Sequence, residues 1–162
     1  MNATTTIRRS GWRVRLRFGL GVVIVGLLLF TLGADPGLFN LDRSPVVGFV
    51  QIAVLLVGLA MICIGGFTSL NTLWNGLEKS IIADIGYRLV ATGYVVAAAS
   101  GMADVFGFGS QPFPATPYFG HWQAFGVMAG QILILLGFIL MIPAPPKTTR
   151  NKKPPEQVAS QS

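Results

Sequence analysis

Four apolar stretches, separated by polar or proline-rich segments, set the pattern of this chain. They cover about residues 16–33, 46–67, 87–106 and 123–142. A helix needs about 20 apolar residues to cross a hydrocarbon layer roughly 30 Å thick. The second stretch, PVVGFVQIAVLLVGLAMICIGGF over 45–67, carries no charge and is long enough to span with tilt. The pattern therefore predicts an all-α membrane protein with four transmembrane helices. The first stretch is the shortest. Its basic lead and small-residue end also resemble a secretory signal, and Arg8-Arg9 hints at a twin-arginine one, although the residues that follow match poorly.

The segments between the runs have their own signatures. Residues 1–15 form a polar, basic tail that ends in a mixture of Arg13 and Arg15 with Trp12 and Val14. That mixture suits a membrane boundary, with aromatic rings among head groups and arginine stems along apolar surface. Trp12, Arg13, Trp74 and Trp122 are the expected interfacial anchors. Asp35-Pro36-Gly37 signals a turn after the first run. Residues 69–84 place Leu70, Leu73, Trp74, Leu77 and Ile81 at helical spacing, with Asn71, Asn75, Glu78 and Lys79 largely opposite. This spacing predicts an amphipathic helix in the interface, with partner docking as its competitor and Gly76 as its weak point. Asp84 and Arg88, four apart, should form an interfacial ion pair at the start of the third run. Residues 143–162 read as a disordered, basic, proline-rich tail.

Composition narrows the class further. Only 11% of the 162 residues are charged and 52% are hydrophobic, whereas a soluble domain carries about 25% charge. The net charge of +6 is concentrated where basic clusters flank apolar runs. That favours anionic lipid head groups over nucleic acid. Eleven of the twelve Lys and Arg fall in the two tails and the middle loop with its flank, and only Arg43 falls elsewhere. Positive residues stay cytoplasmic, so both termini are expected on the cytoplasmic side of a cell membrane, and an even number of spans requires that they share a side.

The chain echoes itself. Pro45, Gly48, Gln51 and Gly58 are answered 72 positions later by Pro117, Gly120, Gln123 and Gly130. Gly11-Trp12-Arg13 is paired with Gly86-Tyr87-Arg88, Gly21 with Gly93, and Ala34-Asp35 with Ala103-Asp104. The expected architecture is therefore two tandem helical hairpins, 16–67 and 85–142, in parallel orientation from an internal duplication. A duplicated unit that includes the first run implies that the run belongs to the fold. Ala97 and Gly101, and Gly126 with Gly130, offer thin surfaces for helix contact. Gln51 and Gln123 are expected to face each other or loop backbone, since an amide in hydrocarbon needs a partner.

Chemistry is sparse. Cys63 is alone, and His121 is the sole histidine, placed at the mouth of the fourth run. No cofactor is expected, because a haem needs axial ligands that one histidine at a boundary does not supply. Asp35, Asn40 and Asp42 lack the spacing of a calcium loop. No catalytic or metal-ligating motif is present, and the run centres contain no ionisable side chain of the kind that marks ion pathways. The expected role is a non-enzymatic accessory or assembly subunit of a membrane complex, with partner subunits or further copies of itself. A small oligomeric transporter or channel is the alternative, and a redox subunit a remote one.

Overall fold

A computed structural model describes residues 3–39, 48–74, 80–108 and 120–143, with side chains of the first helix described from Gly11 onward. Four long helices account for most of them: α1 (Ala3–Ala34), α2 (Phe49–Leu73), α3 (Ile81–Gly101) and α4 (His121–Met141). A short 3-10 turn, Pro36–Phe39, follows α1, and no strand occurs among the described residues. All four helices are long and apolar enough to cross a membrane, the candidate span in α1 being Gly11–Ala34.

Local sequence explains the helix ends. Pro36 lacks an N–H and cannot continue α1, and Asp35 Oδ1 accepts from Gly37 N at 3.0 Å. Gly48 and Gly120 each stand just before a helix in extended conformation, so both copies of the P-x-x-G motif begin a helix at their glycine. The Gly48 carbonyl takes the amides of Gln51 and Ile52. Ser80 caps α3 by accepting from Ile82 N, and Asp84 lies in the first turn, where a carboxylate opposes the positive end of the helix dipole. After α3 the chain turns through Gly107, whose φ of +77° suits a residue without Cβ.

Four threonine hydroxyls inside the spans find partners locally. The hydroxyls of Thr68, Thr72 and Thr92 each donate to the carbonyl four residues back, at 2.8, 2.7 and 2.9 Å. Thr31 donates to the carbonyls of Leu27 and Leu28, four and three residues back. Such bonds remove the cost of a bare hydroxyl in lipid.

Two helix boundaries differ from the sequence reading. The basic tail does not stay outside the helix: α1 begins at Ala3, because no proline intervenes before Pro36. The separate interfacial helix over 69–84 is replaced by a different division. Ser69 to Leu73 complete α2, and Ile81 to Asp84 open α3. Trp74 caps the end of α2 and Ser80 the start of α3, and residues 75–79 lie outside the described residues. The run of apolar residues in α2 therefore carries the helix past its hydrophobic limit, and Ser80 restarts it.

The helices pack unequally. α1 lies antiparallel along α2, and α3 lies antiparallel along α4. α2 also touches α3 and α4, whereas α1 approaches neither among the described residues. The centre is a small cluster of Leu59, Val90, Ala97, Ile134 and Met141, bordered by Phe30, Cys63, Phe67, Leu70, Tyr94 and Phe138. Only 17% to 28% of each span is buried inside the protein. Phe18, Ile24, Leu28, Ile64, Val95, Ile132 and Leu135 all point outward. A continuous apolar surface of this kind far exceeds the few hundred Å² that water-soluble monomers expose. Lipid is the solvent that matches it, which makes this a multi-pass membrane protein.

Candidate functional site

The helix seams come first, because they decide what space is left. A Cβ on Gly93 would sit 2.6 Å from the Gly130 carbonyl oxygen, and one on Gly130 would sit 2.5 Å from that of Gly93. Gly86 and Gly137 oppose each other in the same way, at 2.6 and 2.7 Å. In the first pair, a Cβ on Gly65 would meet the Gly19 carbonyl at 2.7 Å, and one on Gly26 the Gly58 carbonyl at 2.9 Å. These backbones touch. No residue with a side chain fits without moving the helices apart.

The contact positions recur every seven residues: Gly19, Gly26 and Gly33 on α1; Gly58 and Gly65 on α2; Gly86, Gly93 and Ser100 on α3; Gly130 and Gly137 on α4. Seven residues fall about 20° short of two full turns, and a left-handed crossing absorbs the difference. This heptad of small residues was readable in the sequence, but it was hidden among 20 glycines. It also offers a second alignment for the first half of the expected repeat. Gly11 and Gly21 have nothing near them, whereas Gly86 and Gly93 are contact positions. The glycines of α1 that occupy equivalent places are Gly19 and Gly26. Gly126 and Ala97 both lie on the α3–α4 seam, Gly126 against Ser100 and Ala97 against Gly130, with Ala97 fully buried. Gly101 instead faces Ile52 and Leu56 of α2 and Val127 of α4.

With the seams closed, space remains near the two ends of the bundle. One end carries Arg13, Arg15 and Arg17 at the start of α1 and Arg88 in α3, and is called the basic end below. There a cavity of about 290 Å³ is lined by Phe67, Asn71 and Trp74 of α2, Ala83, Asp84 and Tyr87 of α3, and Met141 of α4. Trp74 Nε1 donates to the Met141 carbonyl at 3.0 Å, and Trp12 Nε1 donates to the Thr72 carbonyl at 2.8 Å. Each indole thus satisfies a carbonyl at the end of a helix, where intrahelical donors run out. Phe67 and Tyr87 stack at a tilt of 43° with ring centroids 4.8 Å apart. Asp84 and Arg88 form an ion pair at 3.0 Å, both exposed.

The opposite end holds a smaller space of about 140 Å³ lined by Gly33, Ala34, Gln51, Ile52, Leu55, Leu56, Gly101 and Val127. Gln51 reaches it half-buried. Gln123 does not meet Gln51. Its Oε1 accepts from the backbone N–H of Gly120 at 2.8 Å, closing the first turn of α4 on itself. Glycine offers no side chain in return, so only this half of the capping interaction exists. Gln123 Nε2 is buried without a partner, and so is one carboxylate oxygen of Asp104 beyond the end of α3. Trp122 stands exposed beside them, as does His121.

Cys63 is half-buried against the central cluster. No group of three metal-ligating side chains occurs among the described residues. Pro45 and Pro117, together with Asn40, Asp42 and Arg43, lie outside the described residues. No family model matches the chain, and comparison with curated proteins and with solved structures finds no match.

Proposed function

We propose that this protein is a non-enzymatic accessory or assembly subunit of a membrane complex, built from two duplicated hairpins and holding both termini on the cytoplasmic side of the cell membrane. The observation that carries the role is the placement of α1. Among the described residues it docks on no long helix but α2, and it leaves Val14, Phe18, Ile24, Leu27 and Leu28 facing outward. A helix held on one side only presents a long apolar flank to neighbouring membrane helices. Helix association in lipid needs such a flank together with small residues or packing complementarity. The orientation is supported by the charge asymmetry of the sequence, and the duplication by the shared heptad of Gln51, Gly58 and Gly65 with Gln123, Gly130 and Gly137. Transport through a single copy is disfavoured, because glycine seams fill the middle of each pair and the cavities lie near the ends.

Purification in mild detergent tests the reading. The expected result is a stable complex in which this chain is a minority of the mass, with tags on its two ends reporting the same side of the bilayer. Homo-oligomers that pass ions in liposomes would replace the accessory role with the channel one.

A further inference from the structure

We propose that the cavity at the basic end binds an ammonium group of lipid-headgroup size, such as choline or ethanolamine. Four features converge on a cation. Phe67, Trp74 and Tyr87 supply three aromatic residues around one space, and aromatic faces attract ammonium groups, quaternary ones especially. Asp84 adds a carboxylate to the same wall; its Oδ2 is engaged by Arg88, which leaves Oδ1 free of that contact. Asn71 adds an amide oxygen. Finally, α2 and α4 both end at this cavity, through Trp74 and Met141. Helix C-termini carry negative partial charge, so two negative ends meet the one positive end of α3, which Asp84 in its first turn offsets.

Size and position select among cations. A space of about 290 Å³ is at the lower limit of small-molecule pockets, which run from about 300 to 1,000 Å³. It suits a compact head rather than an extended ligand. A bare metal ion would want several oxygens, and the wall is mostly aromatic and apolar. Trp12 and Trp74 mark the boundary level at which indoles sit among head groups. Arg88, one turn further along α3 than Asp84 and exposed, is placed to accompany a phosphodiester. The ammonium can therefore come from a zwitterionic lipid or from a free solute. The inference does not depend on the accessory role.

The test uses the full chain with Trp12→Phe and Trp122→Phe, so that Trp74 is the fluorescent reporter. In detergent, choline chloride is titrated against its uncharged isostere 3,3-dimethylbutanol, at constant ionic strength. The expected result is a saturable change in Trp74 emission with choline and at least tenfold weaker response to the alcohol. Asp84→Asn should weaken choline binding about tenfold, and Asp84→Glu should recover part of it. Tyr87→Leu provides a second variant that leaves the charge intact. In nanodiscs containing equal phosphatidylcholine and phosphatidylglycerol, native mass spectrometry then distinguishes the sources. Retention of phosphatidylcholine by the parent chain and not by Asp84→Asn assigns the lipid head group. Choline binding without lipid retention assigns a free solute. No saturable choline response in the parent chain, or equal responses to choline and the alcohol, overturns the proposal.

Discussion

The seams within each helix pair and the joint between the pairs are built on different principles. Within a pair, glycine meets backbone: Gly93 lies against Gly130, and Gly65 against Gly19. Between pairs, large side chains fill the gap: Phe138 reaches Gly66, Phe67 tilts on Tyr87, and Trp74 bonds to Met141. A backbone cannot move aside for a new methyl group, whereas an aromatic ring can rotate or shift. The seams are therefore rigid and register-specific. The joint is adjustable, and the larger cavity lies in it.

The largest expected effect is at a seam. Gly93→Ala or Gly130→Ala should destabilise the protein by about 1–3 kcal/mol through overpacking, measured by reversible unfolding in mixed micelles. The two changes share one contact and should not add, whereas Gly58→Ala and Gly130→Ala lie in separate seams and should. Additive losses for Gly93 and Gly130 would mean that the two carbonyl contacts are independent. At the joint, Phe138→Leu should cost less, below about 1.5 kcal/mol, because neighbours can close on the smaller side chain. Trp74→Phe removes one hydrogen bond and should cost about 0.5–1.5 kcal/mol. A larger loss than at Gly93 would invert the comparison. Gln51→Ala and Gln123→Ala should be additive, since no hydrogen bond joins the two amides. The smallest effect is Gly21→Ala, within about 0.5 kcal/mol, because nothing lies near that position.

Four spans were legible because a run of apolar residues reports its solvent directly. Their ends were less so. The sequence around Leu70 and Trp74 alternates polar and apolar residues in a way that suits both an interfacial helix and the last turns of a spanning one. Only the restart at Ser80 separates the two. The expected repeat is plainest in the sequence of its second half, where Gln51 and Gln123 anchor the match. In its first half the many glycines allowed a match by type, pairing Gly21 with Gly93, that differs from the match by contact. The cavity was not legible at all. Phe67, Trp74, Asp84, Tyr87 and Met141 come from three helices, and no spacing along one chain segment announces them. The Asp84–Arg88 pair was visible as an i,i+4 motif, but not that its carboxylate forms part of an aromatic-walled space.

Because α1 leans on α2 and, among the described residues, on no later helix, every helix it packs against is synthesised before α3. The first two helices can close in the bilayer as a finished unit while the remainder is still being translated. The second pair then assembles against a surface already in place, with α2 as its template.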